Sequence, residues 1–135
     1  MHAEALPHQL ALSCGPVSAV DLALFAAASG DHNPLHLDVE AARAAGFDRP
    51  LVHGMLTMAY TARLFTAAFG AGSVRHLEPR FTGVARLGDT VELSATLSGV
   101  ENGLAQYALS ARTDAGTERV SGMARIACGT LRCAA

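Results

Sequence analysis

Halfway along the chain the hydrophobic period changes, and that change constrains the fold more than any other feature. Val91, Leu93, Ala95 and Leu97 alternate with Glu92, Ser94, Thr96 and Ser98, the pattern of an antiparallel strand with one wet face. The alternation returns through Ala105, Tyr107, Leu109 and Ala111, and again through Val120, Gly122, Ala124 and Ile126. Glu101-Asn102-Gly103 and Asp114-Ala115-Gly116 supply the turns between these runs. Residues 73–86 read as a weaker fourth strand and 8–14 as a fifth.

Earlier in the chain the period is helical. Ser18 and Asp21 form an S-x-x-D capping signature, and Val20, Leu24, Ala27 and Ala28 give one apolar face to a helix over 19–29 that Gly30 ends. In D-H-N-P-L-H, residues 31–36, Pro34 removes a backbone donor and disfavours helix at Asn33, so this is a shaped loop. Asp38 caps a short helix through Ala45, stopped by Gly46. Gly54 to Phe69 reads as a long helix with Met55, Met58, Ala59, Ala62, Phe65 and Phe69 on one stripe and Arg63 as its only charge, before Gly70-Ala71-Gly72 ends it. A helix so apolar all round is normally buried. The expected architecture is α+β: a short strand, then helices, then a four-strand meander whose concave face is covered by the 54–69 helix.

A chain of 135 residues suits one domain, 1–135, around one core. Half of it is hydrophobic and 16% charged, which excludes disorder. Yet 27 of the apolar residues are Ala, none is Trp, and mean hydropathy is +0.27; a subunit interface would account for so apolar a composition on a small surface. A net charge of −2 with no basic stripe excludes the electrostatics of a nucleic-acid binder. Cys14, Cys128 and Cys133 are odd in number and lack C-x-x-C spacing, so neither a disulfide framework nor a metal site is indicated, and a cytoplasmic setting fits. The longest wholly apolar run, Leu22 to Ala28, falls far short of the roughly 18 residues a membrane span needs, and no basic segment leads into it. A soluble, unprocessed chain is expected.

Asp31 and His36 lie on one loop with Pro34 between them. That spacing can bring a carboxylate and an imidazole to either side of one water, and such a pair contributes about 10²–10⁴ in rate when it moves protons. Read singly, Asp31 is a turn residue after a helix and His36 a surface side chain.

S-G-D-H-N-P-L-H at 29–36, followed by R-P-L-V-H-G-M-L at 49–56 and F-T-G-V-A-R-L-G-D-T-V at 81–91, resembles the MaoC-like, R-specific enoyl-CoA hydratase family. The landmarks come in family order over essentially the whole chain. The resemblance implies a hotdog fold, a curved five-stranded antiparallel sheet wrapped around one long buried helix, and a homodimer. It implies that Asp31 and His36 hold the water that adds across a double bond, and that the N–H of Gly54, at the positive end of the long helix, receives a thioester oxygen. No cofactor and no metal are implied; the partner is an acyl-CoA or acyl-carrier-protein thioester. Asn33, His53 and Met55 are the candidate substrate contacts. Beside those readings stand a loop-stabilising Asn33, a buried and hydrogen-bonded His53, and a Met55 that belongs to the core with Met58.

One position departs from the family pattern. A Ser in the first turns of the buried helix helps to hold the catalytic carboxylate in many members, and Ala62 stands there; Thr61 is turned away by about 100°, and Thr57 is the substitute if the register allows. The expected reaction is (R)-specific hydration of a trans-2-enoyl-CoA. The alternatives are a (3R)-hydroxyacyl-carrier-protein dehydratase, with Arg49, Arg75, Arg80 and Arg86 to meet phosphate or an acidic carrier, a hotdog thioesterase, and a non-catalytic acyl-binding subunit.

Overall fold

The computed structural model describes residues 5–113 and 116–128. His2, Cys133 and the Asp114-Ala115 pair of the second expected turn lie outside the described residues. Five strands, β1 (Gln9–Cys14), β2 (Val74–Phe81), β3 (Val91–Glu101), β4 (Leu104–Arg112) and β5 (Glu118–Ala127), form one antiparallel sheet in the order β1-β3-β4-β5-β2. Three helices, α1 (Ala19–Ser29), α2 (Val39–Ala44) and α3 (Gly54–Phe69), precede β2, with a 3-10 turn at Pro34–His36. The fold is the expected hotdog arrangement, α3 lying against the sheet. Among the described residues no helix is long and apolar enough to cross a membrane.

Local chemistry explains the element ends. Ser18 Oγ accepts the Asp21 N–H and an Asp21 oxygen accepts the Ser18 N–H, a complete capping box. Asn102 and Gly103 both have positive φ, +52° and +75°, and join β3 to β4 as a two-residue hairpin turn. The inner face carries Val91, Leu93 and Ala95, then Ala105, Tyr107, Leu109 and Ala111, then Val120, Ala124 and Ile126, all buried. Small Ala side chains on this face let α3 lie close, and Phe65 and Phe69 of that helix pack on the Tyr107 ring at 5.6 and 5.9 Å. Register shifts between Leu97 and Gly99 and between Val74 and His76 bend the sheet around the helix.

Three expectations are corrected. The four-strand meander is a three-strand one: β2 pairs with β5 at the far edge, not with β3, so residues 82–90 cross back over the sheet. Alternation specifies which face a residue takes but not which strand lies beside it. The strand expected at 73–86 stops at Phe81, and 82–90 is loop apart from a single Leu51–Arg86 bridge. The buried faces of two helices also differ from those expected. On α1 the core side is Leu22 and Ala26, while Val20 and Leu24 are 65% and 64% exposed. On α3 it is Thr57, Thr61, Leu64 and Phe65, with Ala59 facing out. Both helices are apolar on nearly every side, so periodicity alone does not choose a face.

Gly122 couples the β2 edge to the sheet. Its φ is +155°, and a Cβ there would run into the carbonyl oxygen of Glu78 on the neighbouring strand. Gly122→Ala is therefore expected to destabilise the protein by about 1–3 kcal/mol or more, read as a lower denaturation midpoint; an unchanged midpoint would show that β2 moves away freely.

Candidate active site

The site is built by two chain segments that sequence separates and hydrogen bonds join. Gly30, with φ +77°, ends α1 and turns the chain so that Asp31 follows at once. Ser29 fixes that exit: its hydroxyl donates to the Phe25 carbonyl at 2.7 Å and accepts the Asp31 N–H at 3.2 Å. Asp31 Oδ1 accepts the Asn33 N–H at 3.2 Å, and Asn33 Oδ1 accepts the Leu35 N–H at 3.1 Å, two successive turns closed by side chains. Pro34 then opens the 3-10 turn whose last residue is His36.

The second segment, 50–53, is pinned on both sides. The Leu51 N–H donates to the Leu35 carbonyl at 2.9 Å and the Val52 N–H to the Ala85 carbonyl at 2.9 Å. His36 Nδ1 lies 2.8 Å from the Leu51 carbonyl, and His53 Nε2 lies 3.1 Å from the Asp31 carbonyl. A carbonyl only accepts, so each of these nitrogens carries the ring proton, and the two rings are opposite tautomers. The remaining His36 nitrogen, Nε2, stands 3.7 Å from Asp31 Oδ2. This distance is too long for a direct hydrogen bond. Asp31 is 51% exposed and His36 13%, so the gap between them opens to solvent.

His53 is 1% exposed and stacks on His36, with ring centroids 3.8 Å apart and planes 21° apart, while Phe25 backs it edge-on at 4.8 Å. The ring is covered by protein within this chain. Asn33 keeps its side-chain oxygen in the loop, the structural one of its two readings. Met55 is 60% exposed on the first turn of α3, outside the core. Gly54 is the first helical residue; the Leu56 and Thr57 N–H groups return to the His53 carbonyl, whereas the described residues offer the Gly54 N–H no acceptor. A Cβ on Gly54 would meet only the Phe81 ring, at 3.8 Å, so the fold itself has room for a side chain there.

Neither Ala62 nor Thr57 reaches Asp31. Thr61, turned to the core, donates to the Met58 carbonyl at 2.6 Å, and the carboxylate is positioned from its own loop instead. Ser29, Phe25 and the Leu51 carbonyl are the contributors that sequence reading missed. Ser29 was visible only as part of a motif, and a carbonyl leaves no trace in a sequence.

Asp31, His36 and His53 offer ligand atoms within 4.8 Å of one another. Stacked rings direct their in-plane lone pairs along nearly parallel planes, and one nitrogen of each ring is held by a carbonyl, so the three do not converge tetrahedrally on one ion. Of the four arginines considered for phosphate, Arg49 and Arg86 are tied to Asp48 and Asp89 at 2.7–3.5 Å. Arg75 and Arg80 are exposed on the β2 edge without an acidic partner among the described residues.

The chain is 41% identical over 73 residues to an enoyl-CoA hydratase of Mycobacterium tuberculosis, covering 52% of this chain and 26% of that protein. A 3-hydroxyacyl-thioester dehydratase of the same species is 33% identical over 114 residues, covering 78% of this chain and 72% of the relative. Several relatives are much longer, so the match spans only 8% of a yeast peroxisomal hydratase-dehydrogenase-epimerase. Among solved structures, the (R)-hydratase from Aeromonas caviae superposes with a TM-score of 0.80 at 29% identity, covering 91% of this chain and 97% of that one. With residues 9–118 matching the family model described as a MaoC like domain, the chain belongs to the MaoC-like family.

Proposed function

We propose that this chain is a hydro-lyase that adds water to a trans-2-enoyl-CoA and forms the (R)-3-hydroxyacyl-CoA, reversibly. The observation that carries the reading is the gap between His36 Nε2 and Asp31 Oδ2. The Nδ1 proton is committed to the Leu51 carbonyl, so two acceptors face each other at 3.7 Å. One water that donates a hydrogen to each satisfies both and leaves its oxygen lone pairs aimed outward. The oxygen bonds to C3, the pair takes the proton it sheds, and the pair returns a proton to C2, so one water is consumed and both additions occur on one face. The Gly54 N–H, at the start of a sixteen-residue helix, receives the thioester oxygen as charge develops on it. The similarity to the Aeromonas caviae (R)-hydratase supports the stereochemistry.

The substrate carrier has a second reading. A 3-hydroxyacyl-thioester dehydratase matches 114 residues of the chain, and a plant mitochondrial 3-hydroxyacyl-carrier-protein dehydratase is 38% identical over 74 residues. Incubating the protein with crotonyl-CoA, and with crotonyl carrier protein in parallel, is expected to bleach the enoyl absorbance faster for CoA and to give only the (R)-alcohol. Faster turnover on the carrier protein would reverse the choice, and free-thiol release with the enoyl absorbance intact would replace hydration by thioester cleavage. A homodimer belongs to the same proposal: Val20, Leu24 and Val100 are exposed apolar residues that a second copy would cover. Light scattering is expected to give twice the 13.9 kDa chain mass, and a monomer would refute it.

A further inference from the structure

Among the described residues, His53 is the largest buried polar side chain, and the reaction above does not use it. It is the residue before α3, yet its side chain makes no cap hydrogen bond to that helix and points instead into the 31–36 loop. We infer that His53 is a positioning residue for the proposed reaction: its Nε2–H holds the carbonyl of Asp31 while its ring face carries the ring of His36, so one buried side chain sets the separation of the two water-binding groups.

Two observations converge on this. The hydrogen bond at 3.1 Å and the stack at 3.8 Å run to the two members of the pair, one to each, from a side chain 1% exposed and backed by Phe25. A contact that moved either group would therefore move it against His53. The second observation is a cost. Among the described residues, Nδ1 of His53 is buried with no hydrogen-bond partner, and an unsatisfied buried polar atom costs about 1–3 kcal/mol. An aromatic hydrocarbon would fill the same space without that cost. The imidazole is explained by what its other edge and its face do together: a phenyl ring stacks without donating, and an amide donates without stacking.

The test separates these halves and rests on the proposed hydration for its first readout. His53→Gln keeps a donor and His53→Phe keeps a ring. Each is expected to lower kcat on crotonyl-CoA by about 10–10²-fold, the scale of a misplacement near 1 Å, with KM within about twofold because the ring is covered by protein. In a His36→Gln background the same substitutions are expected to cost less than about threefold, since one of the groups being positioned is gone. Equal losses in both backgrounds, a rise in KM at unchanged kcat, or full turnover in both variants overturns the inference while leaving the hydration reading intact.

If the wild-type chain does not hydrate crotonyl-CoA, the reaction is refuted and the test passes to the ring nitrogen resonances of His36. They are expected to report a single Nδ1–H tautomer in the wild type and to move toward the mixture of free imidazole in either variant. Unchanged resonances overturn the positioning role. Where one variant fails to fold, as read by thermal melting, the other carries the comparison.

Discussion

His36→Gln and Asp31→Asn are each expected to lower enoyl-CoA hydration by at least about 10², within the range of acid-base contributions, with the fold retained. Both are near-isosteric and sit where the chain is already held by other bonds. Asp31 is fixed through the Ser29 hydroxyl and through its own carbonyl, and Asn at 31 still offers an oxygen to the Asn33 N–H. The carboxylate itself is half exposed, and the 3.7 Å separation from His36 makes it no structural ion pair; partly exposed pairs contribute about 0–1 kcal/mol. Both substitutions remove an acceptor facing the water; His36→Gln also removes the ring that stacks on His53 and donates to the Leu51 carbonyl. Steady-state rates on crotonyl-CoA, with thermal melting as the control, check the expectation. Turnover within about threefold of wild type for either variant, well below the usual acid-base contribution, would show that the gap between these groups is not where water is activated.

Cys14 supplies a second control on folding. It is buried, and burial pushes its thiol up from the ordinary value, so it is expected to resist alkylation near neutral pH in every folded variant and to react once the chain unfolds.

The second large effect is expected at Gly54, where the donor and the empty side-chain position can be tested apart. Proline is well tolerated at the first residue of a helix because its missing N–H has no helical partner there. His53 before it has φ −53° and ψ 131°, the extended backbone that a following proline requires. Gly54→Pro therefore removes the N–H while keeping the helix start, and sets ring carbons in its place. If that N–H receives the thioester oxygen, kcat falls by about 10²–10³, the cost of losing one such donor, while α3 and the melting temperature persist. Gly54→Ala keeps the donor and adds a methyl that meets the Phe81 ring at 3.8 Å, an ordinary van der Waals contact. Full turnover in the proline variant would end the donor's role. Equal loss in both variants would make close approach, rather than the hydrogen bond, the reason for glycine.

Much of the scaffold was legible in the sequence because it is made by short-range interactions. The Ser18–Asp21 box, the Asn102-Gly103 turn and the alternation of β3, β4 and β5 each depend on residues within a few positions of one another. The Asp31 and His36 pair was legible for the same reason: five residues and one proline shape a single loop. Val20 and Leu24 share the apolar face that their spacing reads on α1 and yet are exposed, because α1 offers apolar side chains on nearly every face, and only the packing of Leu22 and Ala26 against the rest of the molecule decides which face is covered. The place of β2 was hidden likewise, since Leu77 and Phe81 alternate correctly beside β3 or β5.

By itself, then, the sequence determined where the helices begin and end, which residues of β3, β4 and β5 face inward, and that a carboxylate and an imidazole share one loop. Caps, turns and periodicity are all settled within a turn of helix or a pair of strand residues. Only the tertiary structure decided that β2 closes the far edge, which face of α1 is covered, and that the Leu51 carbonyl and the His53 ring orient the pair from 15 and 22 residues away. Those outcomes depend on contacts between segments whose separation in sequence carries no period to read, and on a backbone carbonyl, which every residue has and no residue type announces.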